Sequence, residues 1–328
     1  MKLAAYLAGL FGVALFTAVV IHSDVAGLLQ TALRGGWPLL WLIPYRTVYF
    51  LLYAAGWRIL LRPYDPDRRA GLGYLLWVTT VREAIDRLLP VASIGGAVAG
   101  VRLLGWRGVP ASSGGATVIM EILLTLIASW LFAVVGVALL INFDIAAAEY
   151  QRVIFVLLLC LPIPVVLARL LGTGSLFGRI QSLMIRFAGL RTSPAGALAL
   201  DAQVRSSLQR GSSLLAAGTF QFAALLSGSL EIWFALRLFG HPVGFAAAVL
   251  LESMLQSFRH VAFVVPASLG VQETVLVVFG HLLGIGAETA IAVSLAKRLR
   301  EVVYGVASLV SWQWVEGRRL RTAVPNES

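Results

Sequence analysis

The sequence predicts an all-α polytopic membrane protein, built as an inverted repeat with about six full spans and two re-entrant helical hairpins. Three observations lead there. Of 328 residues, 59% are hydrophobic and 13% charged, and the mean hydropathy is +0.86. A soluble domain carries roughly 45–50% apolar residues, and so few charges cannot solvate a chain of this size. Next, two long apolar stretches are each broken near the middle by proline and glycine. Finally, arginines crowd into alternate loops.

Uninterrupted apolar runs cover Leu3–Ile21, Trp37–Trp57, Gly115–Ile141, Val153–Leu171, Ser213–Leu238 and Ala287–Trp314. The first resembles a signal peptide behind Lys2, but it is as long as a span and lacks a small-residue cleavage site, so it reads as retained. The broken stretches are Leu72–Leu104, with Pro90 and Gly95-Gly96, and Phe245–Leu283, with Pro266 and Gly270. Crossing a hydrocarbon core of about 30 Å at 1.5 Å per residue takes about 20 residues. The shorter arms fall below that and suit hairpins that return to their own side, a form tolerated only where protein or water covers the broken backbone.

Arginine sets the orientation. One set of loops holds Arg58, Arg62, Arg68 and Arg69, then Arg102 and Arg107, then a run from Arg169 to Arg210, and finally Arg318, Arg319 and Arg321. The opposite loops hold His22, Asp24 and Arg34, then Asp144 and Glu149, then His241. The positive-inside rule makes the first set cytoplasmic and places both termini inside.

The formal net charge is +10, almost all from arginine. In a membrane chain this reports cytoplasmic loops and anionic lipid rather than nucleic acid. Cys160 is the single cysteine and only four histidines are present, so disulfides, a metal centre and a bound cofactor are not expected. Between the spans, Gly172–Ser212 sets Phe177, Ile180, Leu183, Met184 and Phe187 at helical spacing with Arg179 and Arg186 between them. An amphipathic helix on the inner leaflet fits this pattern, and so does a solvated linker.

The broken segments resemble each other. "LPVASIGG" (Leu89–Gly96) and "VPASLGV" (Val265–Val271) share proline, serine, an aliphatic residue and glycine in that order. Each leads to a glycine-containing turn and a long helix. The predicted organisation is an N-terminal span with a short amphipathic segment (1–36), repeat 1 (37–142) and a connecting span with a cytoplasmic amphipathic linker (143–212). Repeat 2 (213–317) and a short tail (318–328) follow. Loop charges insert the two hairpins from opposite sides, the inverted architecture of many secondary transporters.

Charges fall at membrane depth in both repeats. Arg82/Asp86 and Glu83/Arg87 are i,i+4 pairs in the first hairpin, and Glu121 sits in the helix after it. The second half holds Glu252, Arg259, His260 and Glu273. Lys297, Arg298, Arg300 and Glu301 follow in the last span, where Lys297/Glu301 is again i,i+4 and Arg298/Glu301 is i,i+3. Each costs about 2.5–3.5 kcal/mol at a helix centre, so all must pair or line a wet cavity. An ion-paired seam is one reading. A substrate-binding polar pathway is the other, favoured because charges cluster at both backbone breaks. Helices starting after Gly95 and Gly270 would aim their N-terminal amides at the midplane, and Glu273 would cap one of them or touch a ligand.

With these residues assembled, "VPASLGVQE", "LPVASIGGAVAGVRLL" and "SLAKRLREVVYGVASLVSWQWVEGRR" resemble the lysylphosphatidylglycerol synthase/flippase transmembrane family, and most closely its hopanoid-locus branch. The resemblance runs from about Trp37 to Arg319. It implies a bacterial inner-membrane protein that moves a hopanoid or related lipid between leaflets. Lipid-biosynthesis or export proteins are its implied partners. The family's proline–glycine–glutamate motif falls on Pro266, Gly270 and Glu273, and its basic helix motif on Lys297, Arg298 and Glu301. No aminoacyl-transferase domain follows residue 317, so synthase activity is not expected. An accessory scaffold for hopanoid or glycolipid enzymes is a second reading. A third, a lipid-modifying enzyme, would rest on Ser268 and His260, but no third group orients them, and no catalytic motif is expected.

Overall fold

A computed structural model of the chain describes residues 36–88, 95–142, 162–173, 194–261 and 270–322. The expected first span, Pro90, Pro266, the stretch 177–187 and the first half of the span expected at 153–171 lie outside these residues. Among the described residues every regular element is helical, and the protein is all-α. Within a bilayer, only a helix or a closed barrel satisfies its own backbone.

A 3-10 turn at Trp37–Trp41 leads into α1 (Leu42–Leu61). Next come α2 (Leu72–Leu88), α3 (Gly95–Gly105) and α4 (Ala111–Asn142). Helices α5 (Pro162–Gly172) and α6 (Pro194–Leu208) connect to the second half. That half holds α7 (Gly211–Leu238), α8 (Phe245–Val261), α9 (Val271–Leu282) and α10 (Ala287–Thr322). The same order therefore occurs twice. The lengths are 20, 17, 11 and 32 residues in α1–α4, and 28, 17, 12 and 36 in α7–α10.

Among the described residues, three stretches are long and apolar enough to cross a membrane: Trp37–Leu61, Ala111–Asn142 and Gly211–Leu238. Helix α10 runs unbroken through the expected span Ala287–Trp314. Its 36 residues are ample for a crossing, but Lys297, Arg298, Arg300 and Glu301 interrupt its apolar surface. Helices α3 and α9, with 11 and 12 residues, rise only about 17–18 Å and cannot cross a core of about 30 Å.

The leading helices of the two units, α1 and α7, pack along each other and run antiparallel. The Tyr45 hydroxyl donates to the Ser227 carbonyl at 2.8 Å, and Arg46 lies beside Glu231. At the other end, Gly56 touches Ala217. Positions that rise along one helix meet positions that fall along the other.

Cross-packing is reciprocal. Helix α10 of the second unit lies on α2 of the first, and α4 of the first lies on α8 of the second. Both contacts close over a glycine. A Cβ on Gly305 would collide with Leu88, and one on Gly136 would collide with Ser253 and stand 2.7 Å from Met254 Cε. The turns that precede α4 and α10 are also alike. Val109 donates its amide to the Leu104 carbonyl, and Ile285 donates to that of Gly280. Each bond spans a glycine with positive φ, Gly108 at 80° and Gly284 at 73°. These are Schellman closures, which place a left-handed residue just past the helix end.

Residues 194–208, expected within a linker, form α6. Leu200 and Val204 on α6 pack with Met120 and Leu123 of α4. Apolar side chains line the outside of the bundle, among them Leu131, Val134 and Val135 on α4 and Val303 and Val310 on α10. Glu121, Glu231, Glu252, Arg259, Lys297 and Arg300 are buried inside it.

Gly305→Leu should overpack the α2–α10 contact by about 1–3 kcal/mol and lower the melting temperature of the detergent-solubilised protein. Gly105→Ala, where no atom lies within 4 Å of an added Cβ, should leave it unchanged. Equal melting of both variants would contradict this packing.

Candidate functional site

Six helices meet in one place, five bringing charge and α9 bringing Gln272, and the side chains form a continuous relay. On α2, Arg87 Nε donates to Glu83 Oε1 at 3.1 Å. Glu83 stands 3.6 Å from Arg46 of α1. Arg46 in turn stands 3.8 Å from Glu231 Oε2 of α7, and its guanidinium lies 3.5 Å above the Tyr49 ring, a contact that holds a cation without consuming its donors. Arg300 of α10 donates to the same Glu231 oxygen. Its other terminal nitrogen reaches Glu301 at 3.4 Å. Glu301 also accepts from Arg259 of α8 at 3.0 Å, and Arg259 donates further to Gln272 of α9. Gln272 ends the relay by donating to the carbonyl and hydroxyl of Ser294 at 2.9 and 2.7 Å.

Three further pairs stand beside the relay. Arg82 meets Glu121 at 2.5 Å, joining α2 to α4. Lys297 meets Glu252 at 2.7 Å, joining α10 to α8, and Gln256 donates to the second Glu252 oxygen. The two bridges occupy corresponding places in the two units with their signs exchanged. Arg298 grips Glu273 through two donors at 2.5 and 2.9 Å, and the Ser294 hydroxyl donates to the same carboxylate at 3.0 Å.

Burial makes this pairing obligatory. The side chains of Glu231, Glu252 and Lys297 are each 1% exposed and that of Arg300 is 2%. Removing one partner from such a pair strands the other and costs about 3–5 kcal/mol. Glu231 is the most constrained group: one oxygen serves two arginines, and the other, Oε1, is buried without a partner among the described residues.

Where the relay reaches the surface of the bundle it borders a pocket enclosing about 290 Å³ of empty space, part of it open to the outside. Arg46, Arg87 and Arg300 contribute guanidinium groups, Glu83 and Glu301 carboxylates, and Thr80 and Tyr304 hydroxyls. Phe50, Ala84 and Gly305 supply an apolar wall.

The predicted residues divide. Glu83, Arg87 and Glu301 line the pocket, and Arg259 stands behind Glu301. Arg82, Glu121, Glu252, Lys297, Glu273 and Arg298 are brought near but are closed into pairs. Several expected pairings are replaced. Arg82 turns to Glu121 rather than Asp86, and Lys297 and Arg298 turn to Glu252 and Glu273 rather than Glu301. In each case, a carboxylate on a neighbouring helix takes the cation. Asp86 accepts the Gly96 amide at 2.9 Å, so the first turn of α3 is capped from α2 rather than open to an anion. Gly95 and Gly96 begin α3, and Gly270, with φ 79°, precedes α9. His260 donates through Nδ1 to the Gln256 carbonyl at 2.6 Å, back along its own helix. Ser268, Pro90 and Pro266 lie outside the described residues, and among those described no group of His, Cys, Asp and Glu is placed to hold a metal.

Arg46, Glu231, Gln272 and Tyr304 were not singled out from sequence, and Arg300 was counted only among the charges of its helix. Arg46 and Glu231 did carry a signal, since each is an ionisable residue inside a span that is otherwise apolar.

A family model for the lysylphosphatidylglycerol synthase TM region matches residues 5–308. No curated protein and no solved structure matches the chain.

Glu231→Gln removes the charge between Arg46 and Arg300 while keeping the side-chain shape. It should destabilise the fold by about 3–5 kcal/mol, read as a lower melting temperature in detergent. Wild-type melting would show that the relay carries no stabilising load.

Proposed function

The chain belongs to the lysylphosphatidylglycerol synthase transmembrane family, and from that premise we propose that it moves a polar lipid between the leaflets of a bacterial inner membrane. A hopanoid or related polar lipid is the cargo we assign, following the sequence likeness to the hopanoid-locus branch. The observation that carries the reading is the pocket lined by Arg46, Glu83, Arg87, Arg300 and Glu301. It places donors and acceptors for a head group inside a bundle whose outer surface is apolar.

In this mechanism the head group travels through the polar interior while the apolar body stays in lipid. The helix pairs α2–α3 and α8–α9 act as re-entrant hairpins entering from opposite sides. Three features support this: the lengths of α3 and α9, the antiparallel α1 and α7, and the relay that links Glu83 and Arg87 near the end of α2 to Arg259 and Gln272 through Arg46, Glu231, Arg300 and Glu301. Transfer requires the two units to part, and the cross-contacts over Gly136 and Gly305 are surfaces where they would slide. Both termini then face the cytoplasm, as the arginine bias requires. Lipid-biosynthesis or export proteins would supply or accept the cargo, and the energy would come from a gradient, downhill flow or such a partner.

Leaflet transfer of a fluorescent head-labelled lipid in reconstituted vesicles tests the reading. The Arg87 side chain is about a quarter exposed, so Arg87→Ala disturbs packing less than changes to the buried relay. It should slow transfer at least about tenfold, the effect of 1.36 kcal/mol in a barrier. Transfer at the wild-type rate by a folded Arg87→Ala protein would refute the assigned pocket, and vesicles in which the wild type accelerates nothing would refute transport.

A further inference from the structure

At the end of the bundle where α2 begins and α3 and α10 stop, cations and aromatic rings interleave. The Arg319 guanidinium lies 4.3 Å from the centre of the Trp106 ring, and that of Arg107 lies 4.5 Å from the centre of Tyr74. Arg318 stands 4.0 Å from the Trp314 ring, and Arg102 pairs with Glu316. Each ring fixes a guanidinium by its face. Trp77 stands near both Tyr74 and Trp106 and donates its indole N–H to the Ser311 hydroxyl at 2.9 Å. The patch is shared between the units: α2 and α3 come from the first, and α10 from the second.

Its charge is one-sided. Among the described residues here, four arginines (102, 107, 318 and 319), all exposed, face one carboxylate, Glu316. The adjoining loop adds Arg68 and Arg69 but also Asp65 and Asp67, so it leaves the balance alone. The formal excess is three positive charges. The carbonyl ends of α3 and α10 also lie here, each equivalent to about half a negative charge. Together they offset about one of the three.

The outer face of α10 continues the patch into the apolar zone. Val303, Val306, Val310 and Trp314 are 39, 37, 63 and 59% exposed. With Arg318 they recur every three or four residues, which places them along one side of the helix. From Val303 to Trp314 the helix rises about 17 Å, close to one leaflet, half of a core of about 30 Å. Arg318 stands about one turn beyond. Hydrocarbon stripe, interfacial ring and cation thus follow in the order of acyl chain, interface and phosphate.

We propose that this face binds an anionic phospholipid of the leaflet at this end, with an acyl chain along Val303–Trp314 and the phosphodiester held by arginines of both units. Guanidinium groups match phosphate oxygens geometrically as well as by charge. A soluble anion would use the cations but not the stripe. A second copy of the chain lying on the stripe in the same membrane orientation would set two basic patches side by side. The proposal holds whether or not the chain moves lipid, because it concerns a surface apart from the relay and its pocket.

Delipidated protein in detergent is titrated by native mass spectrometry with phosphatidylglycerol, with phosphatidylcholine of the same chains, and with glycerol phosphate. The wild type should bind phosphatidylglycerol at least about tenfold more tightly than phosphatidylcholine, a difference of 1.4 kcal/mol, and glycerol phosphate negligibly. Arg107→Gln in the first unit and Arg318→Gln in the second should each reduce that preference, and the combined variant should abolish it. Arg237→Gln is the control. Arg237 stands 5.2 Å from the Trp233 ring at the opposite end of the bundle, and its loss should leave the preference intact. Equal binding of the two phospholipids by the wild type overturns the proposal. So does glycerol phosphate binding as tightly as the lipid, which would mark a free-anion site, and so does a dimer that excludes phosphatidylglycerol. A preference untouched by the combined variant, or lost equally in Arg237→Gln, also overturns it.

Discussion

One carboxylate oxygen, Oε2 of Glu231, holds two arginines from different parts of the chain. Arg46 comes from the first helix of one unit and Arg300 from the last helix of the other. Both are buried at a level where water is scarce, and neither has an apolar alternative. Their common anchor obliges α1, α7 and α10 to meet at one point. From that point the relay extends through Glu83 to α2 and through Glu301 to α8 and α9. The short helices are tied in by these polar contacts, at Gln272 for α9 and the Gly96 amide for α3, as well as by close packing, since the hydrophobic effect supplies little drive between helices in a bilayer.

The two-fold character of the fold gives this junction its form. Corresponding helices α1 and α7 run antiparallel, the cross-contacts α2–α10 and α4–α8 each close over a glycine, and the turns at Gly108 and Gly284 are built alike. The bridges Arg82–Glu121 and Lys297–Glu252 repeat the pattern with opposite signs. The structure sorts these charges by position: the three closed pairs tie helices together, and the relay borders the pocket.

Fold class was legible in the sequence because hydropathy and helix length are local properties. The doubled order of helices was legible too, from "LPVASIGG" and "VPASLGV" and the glycine turns after them. The pairings were not. An i,i+4 spacing such as Lys297/Glu301 says that two side chains share a helix face, but Glu252 on a neighbouring helix lies on that face as well and wins Lys297. Arg46 and Glu231 show the same limit. Each stood alone in an apolar span, and only tertiary packing supplied the partner that explains it. The reach of Asp86 to Gly96 depends on how the chain returns between α2 and α3, which residue spacing does not encode.

The central claim is that Glu231 and Arg300 act as a coupled pair at the junction of the two units. A double-mutant cycle of thermodynamic stability in detergent, built from Glu231→Gln, Arg300→Gln and the combined variant, measures that coupling. The account predicts that the combined variant loses less than the sum of the single losses, by about 1–3 kcal/mol. Additive losses would mean that the two groups stabilise the fold independently and would contradict it.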